Sequence, residues 1–223
     1  MRLLITGADR PLGAALARGL GRGFSVRLTG VSGPEGAEYK PADLRDPAAV
    51  APLVAGVDAV VHAASFDPAP LTGAAAEQEA LDVASRGTYV LFQEAMKAGV
   101  EKAVLISRMA LMAAYPEDYV VDESWQPQPA PEAGSLGPYL SELVGREFAR
   151  DGGLGVVCLR FGELGSREGT TEADAVHAAR QALLIGPKAR GYRWWLFHVT
   201  SGGRFGLAAA SREPLNFKRQ EVA

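Results

Sequence analysis

The chain has 223 residues, 48% of them hydrophobic and 22% charged, with a formal net charge of −3. That length suits one α/β domain with a small appendage, and a charge spread without blocks of one sign excludes the basic stripe that a nucleic-acid or anionic-membrane partner needs. The single cysteine, Cys158, lies in the apolar run Val156-Val157-Cys158-Leu159 and reads as a buried thiol, while His62, His177 and His198 lack metal-ligand spacing.

The predicted elements alternate between two periods. Leu3-Leu4-Ile5 is a continuous apolar run, as in a parallel strand buried on both faces. Residues 12–20 read as a helix, and Phe24 to Thr29 as a second strand. Asp46-Pro47 opens a helix, with Asp46 as N-cap and proline at the first helical position. Val57 to His62 is a strand, and Thr72 to Ala98 a long helix stopped by Gly99. Lys102 to Ser107 is a strand. Residues 116–138 hold five of the 14 prolines and read as an irregular loop of the kind that covers sites. Tyr139 to Arg150 is a helix closed by Asp151-Gly152-Gly153, and Val156 to Arg160 a strand. Further on come a helix over Thr171 to Leu184, an aromatic strand over Tyr192 to Val199, and a short helix near Gly206 to Ser211.

Strands alternating with helices of this length imply βαβ units, hence a Rossmann-like, doubly wound parallel sheet. Residues 1–165 are expected to form the dinucleotide-binding domain and 166–223 a short substrate-side extension of the same compact unit. Met1-Arg2 leads straight into a strand, and no apolar run approaches the ~20 residues that span a bilayer. The expectation is a cytoplasmic protein with no membrane contact.

The first strand runs into Thr6-Gly7-Ala8-Asp9-Arg10-Pro11-Leu12-Gly13 and then a helix. Gly7 permits the tight turn and Gly13 the close packing of helix on strand. The exposed N–H groups and the positive end of the helix that opens with Pro11, Leu12 and Gly13 favour an anion, normally a dinucleotide pyrophosphate. The turn resembles those of the short-chain dehydrogenase/reductase superfamily, in particular its extended epimerase/dehydratase branch. Thr6, Gly7 and Gly13 match T-G-x-x-G-x-x-G with Arg10 in place of the middle glycine, and T-G-A-S-R-G-I-G fits as well with Pro11 for a glycine.

More residues carry the same resemblance. Asp43-Leu44 matches the pair that holds the adenine, and Val57 to Ala64 matches the motif whose small residues (Ala63, Ala64, with Ser65 following) lie beside the cofactor. Asp82-Val83 with Gly87-Thr88 resembles N-V-x-G-T, and Gly99-Val100-Glu101-Lys102 and Leu159-Arg160-Phe161-Gly162 fall in comparable places. The resemblance implies NADP or NAD as cofactor. Arg10 is then either a fork for the 2′-phosphate of NADP or a solvated arginine. The second strand ends Arg27-Leu28-Thr29-Gly30 without a carboxylate, which tilts the choice toward NADP.

In that superfamily a tyrosine transfers the proton that accompanies hydride transfer. Bringing its pKa from ~10 to ~7 takes about 4 kcal/mol, supplied by a lysine four residues on. Tyr139 stands in the matching place, but its i+4 partner is Leu143, and none of the six tyrosines has a lysine there. Arg146, at i+7, lies ~10.5 Å along the axis. Ser107 remains beside the serine position, which Arg108 occupies.

Two readings stay open. Arg108 supplies the missing cation and Tyr139 works as proton donor in an altered oxidoreductase acting on a small carbonyl or sugar-type substrate. Alternatively the chain binds dinucleotide in a regulatory or sensing role, with Tyr139 a packing aromatic and Arg108 paired to Glu117, Asp118 or Asp122. Trp194, Trp195 and Phe197 read as a core strand or dimer contact, and residues 205–217 carry a weak similarity to the tail of sugar-acid dehydrogenases. The resemblance implies a homodimer through helices 72–98 and 139–150.

Overall fold

The computed structural model describes residues 1–33, 36, 38–67, 72–166, 168–186, 191–205, 214–215 and 217–219. Six strands form one parallel sheet in the order β2-β1-β3-β4-β5-β6: β1 Arg2–Thr6, β2 Ser25–Thr29, β3 Ala59–His62, β4 Lys102–Arg108, β5 Gly155–Phe161 and β6 Trp194–Val199. Beyond β2 the sheet gains a bridge, Leu28 with Tyr39. Alternate residues of β1 serve different cores. Leu3 and Ile5 pack with α1 (Pro11–Leu20) and α6 (Glu172–Leu184), whereas Leu4 packs with α2 (Pro47–Val54) and α4 (Thr88–Lys97). Both faces are therefore dry, as the continuous apolar run predicts. Trp194 packs on one core and Trp195 on the other.

Chain direction reverses between β1 and β3: α1 carries the chain out to β2, and α2 brings it back to the far side of β1. A crevice opens at such a switch point, outside the carboxyl ends of the strands.

The helix expected over 72–98 is two α-helical segments, α3 (Ala74–Asp82) and α4, joined without a break by one π-helical turn, Val83–Gly87. Gly99 ends it in the left-handed region at φ +83. Asp46 caps α2 by accepting from the amide of Ala48 at 2.9 Å. The helix expected from Tyr139 instead begins at Ala133 and runs to Asp151 as α5, so the irregular loop stops at Glu132. Pro138, read from the sequence as the end of the loop, sits inside α5. Its missing N–H leaves the Gly134 carbonyl, four residues back, without its helical donor, yet α5 continues to Asp151.

The loop before α5 is tied by its own side chains. Tyr115 stacks edge-on to Trp125 at 4.8 Å, its hydroxyl donates to the Gln126 carbonyl, and Glu123 accepts from the amide of His198 at 3.0 Å. The helix expected near 206–211 lies outside the described residues. Among the described residues, no helix is long and apolar enough to cross a membrane and no acidic, histidine or cysteine cluster is arranged to hold a metal.

Candidate active site and cofactor cleft

A cleft of about 410 Å³ opens at the switch point, within the usual range for small-ligand sites. Its floor is the glycine turn. Gly7 has φ +67, and a Cβ there would lie 2.9 Å from the Ala64 Cα. A Cβ on Gly13 would lie 2.0 Å from the Gly7 carbonyl oxygen, so α1 sits directly on the turn. Arg10 is the N-cap of α1 and makes no side-chain capping bond, and Pro11 has no N–H. The amides of Leu12 and Gly13 thus lack intrahelical acceptors, at the end of the helix that favours an anion.

Part of the lining is an apolar slot made by Pro41, Ala42, Leu44, Ala80, Val83 and Ala84. Two hydroxyls in the wall, Thr29 Oγ1 and Ser65 Oγ, are buried and have no hydrogen-bond partner among the described residues. An unsatisfied buried hydroxyl costs about 1–3 kcal/mol. Their placement in the cleft is what a polar ligand would satisfy. Uncapped helix start, apolar slot and orphaned hydroxyls together fit a dinucleotide.

The π-helical turn that carries Val83 and Ala84 into the cleft rests on a buried chain of side chains. Ala63 N donates to Thr6 Oγ1 at 3.2 Å, Thr6 Oγ1 meets His62 Nδ1 at 2.7 Å, and His62 Nε2 meets Thr88 Oγ1 at 2.9 Å. Thr88 donates to the Ala84 carbonyl at 2.6 Å, and Ser141 of α5 to the same oxygen at 2.8 Å. With the Thr88 hydrogen assigned to Ala84, His62 donates from Nε2 and accepts at Nδ1. Burial pushes the His62 pKa down to about 4, so the ring is neutral.

A family model described as NAD dependent epimerase/dehydratase family matches residues 3–184. The chain belongs to the NAD dependent epimerase/dehydratase family. A uronate dehydrogenase of Pseudomonas putida is 30% identical over 169 residues, 72% of this chain and 60% of that protein. A sterol demethylase protein B of Methylococcus capsulatus is 33% identical over 137 residues, 58% of this chain and 40% of that protein. The chain thus spans less than two thirds of either relative. A mutant uronate dehydrogenase of Agrobacterium tumefaciens, solved with NAD, shares the fold at a TM-score of 0.75 and 21% identity, over 99% of this chain and 84% of that one. A Thermus thermophilus UDP-glucose 4-epimerase solved with NAD does so at 0.74 and 19%, over 90% and 78%.

Within this epimerase/dehydratase chain, Gly7, Arg10, Thr29, Asp43, Leu44, Ala64 and Ser65 line the cleft. Pro11, Leu12, Gly13 and Ala63 are not among the residues that line it. The Asp43 carboxylate is held by Arg45, Nε to Oδ1 at 2.9 Å and Nη2 to Oδ2 at 2.8 Å, and this hydrogen bonding lowers its pKa. Ser107, Arg108 and Tyr139 are not in the cleft wall. Ser107 is fully buried, its hydroxyl unbonded among the described residues. The Arg108 guanidinium lies over the Phe66 ring at 5.4 Å, behind the wall residues Ser65 and Asp67, and forms no ion pair among the described residues. Tyr139 packs on Met109, Leu111, Met112 and Val121. Its helical neighbours Gly137 and Pro138 reach the wall in its stead.

Sequence reasoning missed a buried polar group under α5. Arg160 of β5 holds Glu142 through two bonds, at 2.8 and 2.7 Å, and approaches His198 Nε2 at 3.3 Å; all three are 2% exposed. Sheet register places Ser107, Arg160 and His198 side by side. Arg146 Nε donates to the Tyr192 hydroxyl at 3.4 Å, and among the described residues it has no hydrogen bond to Tyr139.

Proposed function

We propose that the chain binds a nicotinamide dinucleotide in this cleft and works as an oxidoreductase or epimerase on a small carbonyl or sugar-type substrate. The observation that carries the reading is the pair of orphaned hydroxyls, Thr29 and Ser65, in a cleft floored by the glycine turn and the uncapped start of α1. The amides of Leu12 and Gly13 would hold the pyrophosphate, and the slot between Leu44 and Val83 the adenine. The bound nicotinamide supplies hydride transfer. Tyr139 is the proton donor in this reading, with Ser107 orienting the substrate oxygen and Arg108 supplying the cation. The relationship to a uronate dehydrogenase over 72% of the chain supports a sugar acid as substrate.

A homodimer through α3–α4 and α5 belongs to the same proposal. It is supported by exposed apolar surface there, Tyr89 at 47% and Leu143 at 38%. A cytoplasmic setting fits the lone buried thiol of Cys158.

Turnover of a panel of uronic acids and aldoses with NAD and NADP, by wild type and Tyr139→Phe, tests the activity. The proposal expects turnover in the wild type and its loss by about 100-fold or more in the variant, with cofactor binding kept. Turnover untouched by the variant, or binding without any turnover, refutes the role of Tyr139; the latter favours the regulatory reading. Sedimentation of the wild type and of Leu143→Glu tests the dimer.

A further inference from the structure

We infer that Asp9, delivered by the glycine turn rather than by β2, selects NAD over NADP. This rests on the cofactor reading above. The second strand ends at Thr29 without a carboxylate of its own, yet the structure brings one there. Asp9 Oδ2 accepts from the amides of Val31 and Ser32 at 3.1 and 3.3 Å and from Ser32 Oγ at 3.3 Å. Its Oδ1 lies over Gly30, where a Cβ would stand 2.0 Å from that oxygen and 2.7 Å from the Tyr39 hydroxyl. Gly30 is thus the seat of the Asp9 carboxylate, and any side chain at position 30 would displace it.

Among the described residues every hydrogen bond to Asp9 goes to Oδ2. A carboxylate oxygen carries two lone pairs, so Oδ1 is left to accept from a ligand hydroxyl. The site adjoins the apolar slot, because the Gly30 carbonyl accepts from the amide of Ala42 at 3.0 Å. Asp9 therefore stands between the pyrophosphate turn and the adenine slot, where the adenosine ribose falls. A free hydroxyl donates to it, whereas a 2′-phosphate, bringing about −1.5 to −2 of charge, is repelled.

The rest of the wall does not offset that repulsion. It carries Asp9, Asp43, Asp67 and Glu79 against Arg10 and Arg45. Arg45 is engaged by Asp43 at 2.8 Å and Glu79 at 3.2 Å. Only Arg10 is without an acid partner among the described residues, and it is the group that the opposite choice, NADP, would need.

The test is direct binding of NADH and NADPH to the wild type, Asp9→Asn and Arg10→Ala, followed by nucleotide fluorescence. NADH should bind the wild type ~10-fold or more tighter than NADPH. Asp9→Asn should close most of that gap by gaining NADPH, and Arg10→Ala should leave it open. Should Asp9→Asn fold poorly, the wild type alone still answers: raising salt from about 50 to about 500 mM screens the repulsion and should narrow the gap. Binding of both nucleotides with a ratio that neither Asp9→Asn nor salt moves overturns the assignment alone. A selective loss of NADPH in Arg10→Ala does the same. Binding of neither at about 1 mM overturns the cofactor reading, and the assignment with it.

Discussion

Acidification should weaken the fold through one residue, His62, by an amount that its burial sets. In the native chain its pKa lies at about 4 against 6.5 for the exposed ring, so the unfolded chain binds the proton first. Stability from this group is fully present above the unfolded value and is lost as pH falls from 6.5 toward 4. Each pH unit between the two values removes up to about 1.4 kcal/mol. The loss comes to about 2 kcal/mol at pH 5 and about 3 kcal/mol at pH 4, flattening below. The structural reason is burial: the ring is fully enclosed, its nitrogens bonded to the Thr6 and Thr88 hydroxyls and its plane edge-on to Phe92 at 5.8 Å. Urea denaturation from about pH 7.5 to 4.5 measures it, with His62→Asn as reference. The carboxylates titrate equally in both proteins, so the difference between the two curves isolates the imidazole. That difference should shrink steadily below pH 6.5. A difference independent of pH would refute the neutral-ring assignment.

Further outcomes follow from the same geometry. Gly13→Ala places a methyl 2.0 Å from the Gly7 carbonyl, and should lower both the melting temperature and dinucleotide affinity, the latter by about 10-fold or more, in thermal denaturation with and without NADH. Arg160→Met leaves Glu142 buried and unpaired and should cost about 3–5 kcal/mol, whereas adding Glu142→Leu should recover most of it; equal instability of the single and double variants in urea would contradict this. Burial pushes the Cys158 thiol up, and Glu142 adds to the shift, so thiol reagents should label the chain only after denaturation.

Much of this arrangement is legible in the sequence because it is local. The apolar runs fix which strands are buried on both faces, and Gly7 and Gly13 declare a turn that only small residues fit. Thr29 ends β2, and Ala64 and Ser65 lie two and three residues past the end of β3; they come out in the cleft because strand ends converge at the switch point. What is not legible depends on pairings between distant residues. Asp9 looks like an incidental turn residue until the β1–β2 register, Thr6 beside Thr29, brings it over Gly30. Glu142 and Arg160 are 18 residues apart on different elements, and each alone reads as an exposed charge. The π-helical turn leaves no mark on the pattern, since one extra residue shifts the phase only locally. Pro138 misleads for a plain reason: a proline usually ends or begins a helix, and this one sits inside α5.

The central claim, a dinucleotide held on the glycine turn, is tested most directly by calorimetric titration of NADH into the wild type and into Gly13→Ala. The account predicts saturable binding of one nucleotide per chain in the wild type, weakened by about 10-fold or more in the variant. No heat of binding up to about 1 mM, or equal affinities in the two proteins, would contradict it.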